Sequence, residues 1–111
     1  MSETVFSEFH IHFYFTPESR DSALQVRERM QTDDLPVLFG RIHDKLVGPH
    51  LQPMFSAVFK PGDLDSVLDW LLRHHRAHSV LIHPDSGYDV IDHSLHAIWL
   101  GKQLEIDFSK L

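Results

Sequence analysis

The pattern that organises the chain is the alternation in Phe9-His10-Ile11-His12-Phe13-Tyr14-Phe15. With period two, Phe9, Ile11, Phe13 and Phe15 share one face of a strand, and His10, His12 and Tyr14 share the other. The first face has no polar atom to satisfy and predicts a core. The second is a row of imidazoles and a phenol, an unusual covering for a sheet.

Downstream, the spacing predicts two helices and four further strands. Thr16-Pro17-Glu18 has the signature of a helix start, with Thr16 as N-cap and Pro17 at the first helical position. That helix runs to about Gln31, with Ala23, Leu24, Arg27 and Met30 inward and Arg20, Glu28 and Arg29 in water. Val37 to Arg41 or Ile42 reads as a second strand. Lys45 to Gln52 contains Gly48-Pro49 and reads as a turn or approach loop. Met54 to Phe59 is a third strand, with Phe55, Ala57 and Phe59 on the core side.

Pro61-Gly62-Asp63 opens a second helix, on which Leu64, Val67, Leu68, Leu71 and Leu72 form an apolar stripe. Its basic end holds Arg73, His74, His75, Arg76 and His78, expected to be solvated surface. Ser79 to His83 is a short apolar strand stopped by Pro84. Asp85 to Asp92 is a polar loop, Leu95 to Leu100 a fifth strand, and the chain continues as a strand or coil from Leu104.

The order β-α-β-β-α-β with a C-terminal strand extension predicts an α+β, ferredoxin-like antiparallel sheet with two helices on one face. The first strand then lies between the third and fourth. His10, His12 and Tyr14 face the side without helices, where a partner, an extension or a ligand must cover apolar residues such as Met54.

Composition narrows the chemistry. At 111 residues the expectation is a single domain, 1–111. A formal charge of −6 argues against nucleic acid or an anionic membrane as the main partner. No apolar run approaches a membrane span, and Met1 to Phe6 lacks the features of a secretory signal, so the expected location is cytoplasmic. Without cysteine there are no disulfides, thiolate nucleophiles or zinc–thiolate sites, and any metal must sit on His, Asp, Glu or Tyr. Ten dispersed histidines make position the deciding question.

His10 and His12 stand about 6.5–7 Å apart along one strand face, and a metal above them reaches both. His83 ends the fourth strand, beside His10, and His50 approaches from the Gly-Pro turn toward Tyr14. His93, next to Asp92, is a candidate acid/base with the carboxylate fixing its tautomer; His93 and His96 pair only if their segment is helical. Trp99 is a packing residue or a pocket wall. Two classes remain: a metal-dependent enzyme on the histidine face, and a non-catalytic ferredoxin-like dimeric binding module with interfacial histidines.

His10-Ile11-His12-Phe13-Tyr14-Phe15 resembles the HxHxYF opening of the DOPA 4,5-dioxygenase family, in its small fungal and bacterial type. Val47-Gly48-Pro49-His50, Leu81-Ile82-His83-Pro84 with Gly87, and Asp92-His93 followed by Trp99-Leu100-Gly101 are similar to that family's motifs in the same order. The resemblance spans about residues 9 to 101. Leu46 and Ser86 depart mildly from it, standing where proline and threonine are usual.

The resemblance implies a ferredoxin-like fold and extradiol ring cleavage of a catechol, such as DOPA or a related catecholic acid. It implies a non-haem metal, normally Fe(II), with O₂ as co-substrate; zinc or nickel can substitute during purification. His10, His12, His50, His83 and His93 fall on the family's histidine positions. On this basis His12, His50 and His83 are the expected metal ligands. His10 is an alternate ligand or acid/base, and His93 is a second catalytic residue. For a third ligand in a 2-His-1-carboxylate site Glu8, Asp85, Asp89 and Asp92 are all open, and a three-histidine site is equally consistent. A homodimer is the expected assembly.

Overall fold

The computed structural model describes residues 6–111. The expectation that no secretory signal precedes the fold rests on residues 1–5 and lies outside the described residues. Among the described residues, no helix is long and apolar enough to cross a membrane.

The elements run β1 (Phe9–Tyr14), α1 (Arg20–Thr32), β2 (Leu38–His43), β3 (Met54–Phe59), α2 (Leu64–His74), β4 (Val80–Pro84), α3 (Asp89–Asp92) and β5 (Ile98–Leu100). The strands form one antiparallel sheet in the order β2-β3-β1-β4-β5. This is the predicted ferredoxin-like arrangement, with β1 between β3 and β4 and the extra strand β5 added beside β4.

Alternation along the three central strands divides the residues between two faces. Phe9, Ile11, Phe13, Phe55, Ala57, Phe59, Val80 and Ile82 pack with Ala23, Val26 and Met30 of α1 and Val67, Trp70 and Leu71 of α2. Thr16 caps a single 3-10 turn, Pro17–Ser19, through a reciprocal capping box with Ser19, and that turn feeds α1. Two inward positions differ from the sequence expectation. Val26 is buried and Leu24 only half-buried, because rows spaced i, i+3 and i+7 from Ala23 set the inner face of α1. On α2 the apolar stripe turns toward Trp70, whose indole N–H donates to Asp33, and Leu72 is left 61% exposed.

The opposite face holds a second apolar cluster: Tyr14, Met54 and Leu81, covered by Ala97, Trp99, Leu104 and Ile106. The cover expected over the open face is thus provided by the chain's own C-terminal segment. Ile106 bridges to His50, and the Asp107 amide donates to the Pro49 carbonyl, tying the segment to the loop that carries His50. β5 is shorter than predicted. Residues 93–96 form turns and Leu95 is exposed, so pairing begins only at Ile98. Gly101 follows at φ +71, where an added Cβ would stand 2.7 Å from the His78 carbonyl oxygen.

His78 corrects the expectation of a solvated basic tract. It is buried against Phe13, its Nδ1–H donates to the Tyr14 carbonyl, and its Nε2 bonds the Ser22 hydroxyl. The chain reverses after α2 at Arg76 (φ +57), which brings His78 back against Phe13 of β1.

Candidate functional site

The β1–β4 register sets His10 opposite His83, and His12 opposite Leu81, so His12 and His83 are diagonal neighbours on the open face. Their Nε2 atoms stand 3.0 Å apart. His50 arrives from the loop before β3, after the turn at Gly48 (φ +55), and its ring centre lies 4.1 Å from that of His12. His93 follows α3 and closes the group, 4.2 Å from His83 between ring centres and 5.9 Å from His50. All four of these histidines are buried.

Backbone and phenol partners orient the rings. His83 Nδ1 lies 2.8 Å from the Pro84 carbonyl, and His93 Nδ1 lies 2.8 Å from the Asp89 carbonyl. A carbonyl only accepts, so both Nδ1 atoms carry hydrogen, which makes Nε2 the lone-pair nitrogen of each ring in its neutral form. His50 Nδ1 is 2.7 Å from the Tyr14 hydroxyl. Burial raises the Tyr14 pKa, so the phenol stays protonated; its oxygen accepts from Nδ1–H when His50 presents Nε2 as a lone pair. His12 Nδ1 is buried without a hydrogen-bond partner.

The sequence offers two readings of His93, a ring oriented by Asp92 and a loop histidine beside a solvated aspartate. The structure gives the orienting role to the Asp89 carbonyl, one helical turn earlier. The Asp92 carboxylate is instead buried and turned toward Ser86, accepting from its amide at 2.9 Å and its hydroxyl at 2.6 Å. It thereby closes the 86–92 segment into the short helix that delivers His93. His96 points away, toward Phe6, so His93 and His96 do not pair.

Electrostatics favour neutral imidazoles here. Burial, reinforced by the neighbouring histidines, holds His50 at about 4 and pushes His12 well below its ordinary value. Burial also brings His83 to about 4, against the opposing pull of its bond to the Pro84 carbonyl. Neutral imidazoles are what a transition metal requires; with His83 Nε2 as acceptor, His12 Nε2–H donates to it, and an ion held by both nitrogens would take the place of that proton. Two nitrogens bound at about 2.1 Å and at right angles across one ion stand about 3.0 Å apart, which is the His12–His83 separation.

The five histidines singled out in the sequence do converge. Among the described residues, ligand atoms within 4.8 Å of one another occur in His10-His12-His83 and in His12-His50-His93. The expected trio of His12, His50 and His83 is divided between these groups: His12 is in both, His83 only in the first and His50 only in the second. A third group, Glu8-His10-Asp85, places His10 at the edge: its Nε2 is 3.1 Å from Glu8 and 3.8 Å from Asp85. Donors of this type suit iron, zinc, nickel or copper.

A cavity of about 860 Å³ opens beside the cluster, lined by His93, Ala97, Trp99, Leu104, Glu105 and Ile106, among others. Trp99, stacked on Tyr14, is one of its walls. The C-terminal half of this wall was missed in the sequence. The alternation Leu104-Glu105-Ile106 signalled a strand-like segment, but nothing local said which face it would cover.

A chain from Nostoc punctiforme, described as a candidate dioxygenase in its crystal structure, superposes with a TM-score of 0.90 at 35% identity, covering 98% of this chain and 95% of that one. An uncharacterised 21.2 kDa protein of Botryotinia fuckeliana is 29% identical over 91% of this chain and 61% of its own length. A DOPA 4,5-dioxygenase of Amanita muscaria is 24% identical over 94% of this chain and 49% of its own. The chain thus spans about half to three-fifths of the curated relatives it matches. The family model for the Dopa 4,5-dioxygenase family matches residues 9–110. With that match over nearly the whole chain, this protein belongs to the Dopa 4,5-dioxygenase family.

Proposed function

We propose that this protein is a non-haem, iron-dependent extradiol dioxygenase that cleaves the ring of a catechol. The observation that carries the proposal is the convergence of buried, neutral imidazoles, with His12 and His83 Nε2 only 3.0 Å apart, beside an aromatic-walled cavity. His12, His50 and His83 are the proposed ligands. Fe(II) held by these residues would supply the redox chemistry between a catechol and O₂.

Cleavage breaks one ring carbon–carbon bond beside an oxygenated carbon and places both atoms of O₂ in the product. The ring is oxidised and O₂ is reduced, so no further co-reactant is needed. The chain's own residues bind, orient and move protons. Pro84 and Asp89 hold His83 and His93 in the tautomer that frees Nε2. His93 belongs to the cluster and also lines the cavity, so it is placed to take a proton from a catechol hydroxyl. His10, held by Glu8 at the other edge, is placed to hold a second proton.

The test is reconstitution of chelator-stripped protein with Fe(II), followed by oxygen uptake with 4-methylcatechol, dopamine, DOPA and protocatechuate. The expected result is one O₂ consumed per catechol and a yellow ring-opened product. Absence of turnover on all four, with no stoichiometric iron retained, would leave only the binding-module reading.

A further inference from the structure

One cavity adjoins the histidine cluster at His93 and a second contains Asp85 and His96, and neither is lined by lysine or arginine among the described residues. The cavity entered at His93 has Glu105 as its one carboxylate; the other, about 620 Å³, has Asp85. Glu8 adds a further carboxylate on the His10 side. A substrate carboxylate is ordinarily received by arginine or lysine, with arginine giving paired hydrogen bonds. In the cavity at His93 it would meet Glu105 and no cationic side chain. An ammonium group would find a partner, and an uncharged substituent would meet no repulsion.

Of the two spaces, the one at His93 suits an aromatic ring. Trp99, Ala97, Leu104 and Ile106 give it apolar walls, and Glu105 stands among them as the formal charge. Resting on the ring-cleavage reading above, we infer that Glu105 is a specificity-determining residue. It receives the ring substituent, so the preferred catechols carry a cationic or uncharged tail and simple catecholic acids are disfavoured. Glu105 is exposed and makes no hydrogen bond to the histidine cluster, so its role is confined to the substrate's tail.

The test separates binding from turnover. Fe(II)-reconstituted protein under nitrogen is titrated with dopamine, 4-methylcatechol and protocatechuate at neutral pH, following quenching of Trp99 fluorescence with Trp99→Phe as the control. Dopamine is expected to bind tightest and protocatechuate weakest, with each charge step changing Kd roughly threefold to fivefold, as for a solvent-screened ion pair. Glu105→Lys is expected to reverse the order of dopamine and protocatechuate, and circular dichroism should show the fold retained.

Protocatechuate binding as tightly as dopamine in the unaltered protein overturns the inference and leaves ring cleavage standing. An order that survives Glu105→Lys overturns the assignment to Glu105. Failure of all three catechols to bind overturns the ring-cleavage reading itself, and this inference with it.

Discussion

The two faces of β1 are one residue apart along the chain and belong to different environments. On the helix side, Ile11 and Phe13 are fully buried among apolar side chains from both helices and three strands. On the other side, His12 is almost as buried, yet its neighbours are other imidazoles and one of its nitrogens has no partner. The first face stabilises the fold by removing apolar surface from water. The second holds polar groups out of water in incompletely satisfied positions, which is unfavourable for folding and useful for a ligand. A sheet covered by helices on one face only can separate the two tasks.

Substitutions at adjacent residues test that separation most directly. His12→Ala is expected to abolish stoichiometric iron binding, read by metal analysis after desalting, while costing under about 2 kcal/mol of stability. Phe13→Ala is expected to cost about 3–5 kcal/mol in urea unfolding, through the cavity it leaves against Phe55 and His78. Equal losses of stability for the two would dissolve the distinction between the faces.

Acid should act through the histidine face. Unfolded imidazoles titrate near pH 6.5, whereas burial holds His50 and His83 at about 4 and His12 lower still. Between those limits the unfolded chain binds more protons than the folded one, so stability rises with pH. The contribution is complete above pH 6.5 and is lost as pH falls toward 4. Urea midpoints of metal-free protein at pH 7.5, 6 and 5 should fall in that order, and His50→Gln should flatten the trend. A pH-independent midpoint would show that these rings are solvated.

Tyr14 joins the two environments, with its ring in the second apolar cluster and its hydroxyl on His50. Tyr14→Phe keeps the packing and removes the bond, so metal affinity should weaken by about tenfold or more with little change in unfolding. The smallest effect is expected at Leu72. It belongs to the apolar stripe of α2 but is exposed, and Leu72→Ala should alter stability by no more than about 0.5 kcal/mol. A loss like that of a buried leucine would mean that α2 docks on a different face.

Much of this was legible in the sequence wherever a local rule governs. Period-two alternation at 9–15 and 54–59 placed both faces, and the β-α-β-β-α-β order placed His10 beside His83 and His50 near Tyr14. Local rules failed where the outcome depends on what lies opposite. The HHRAH tract has the composition of a wet helix end, but Gly101 and Ser22 come from elsewhere in the chain to enclose His78. Asp92 beside His93 suggested an oriented pair. The helical turn directs that carboxylate to Ser86 and leaves a carbonyl to orient the ring.

On β1 the sequence alone specifies which residues point away from the helices, because side-chain alternation is a property of the extended backbone. It also specifies that any metal there would meet imidazoles and carboxylates, because no thiol exists. Long-range packing brings His93 into the cluster, sets Tyr14 against His50, and lays Leu104 and Ile106 over the face. Each of these contacts joins segments far apart in sequence, and their distances follow from sheet register and from the loops that span it.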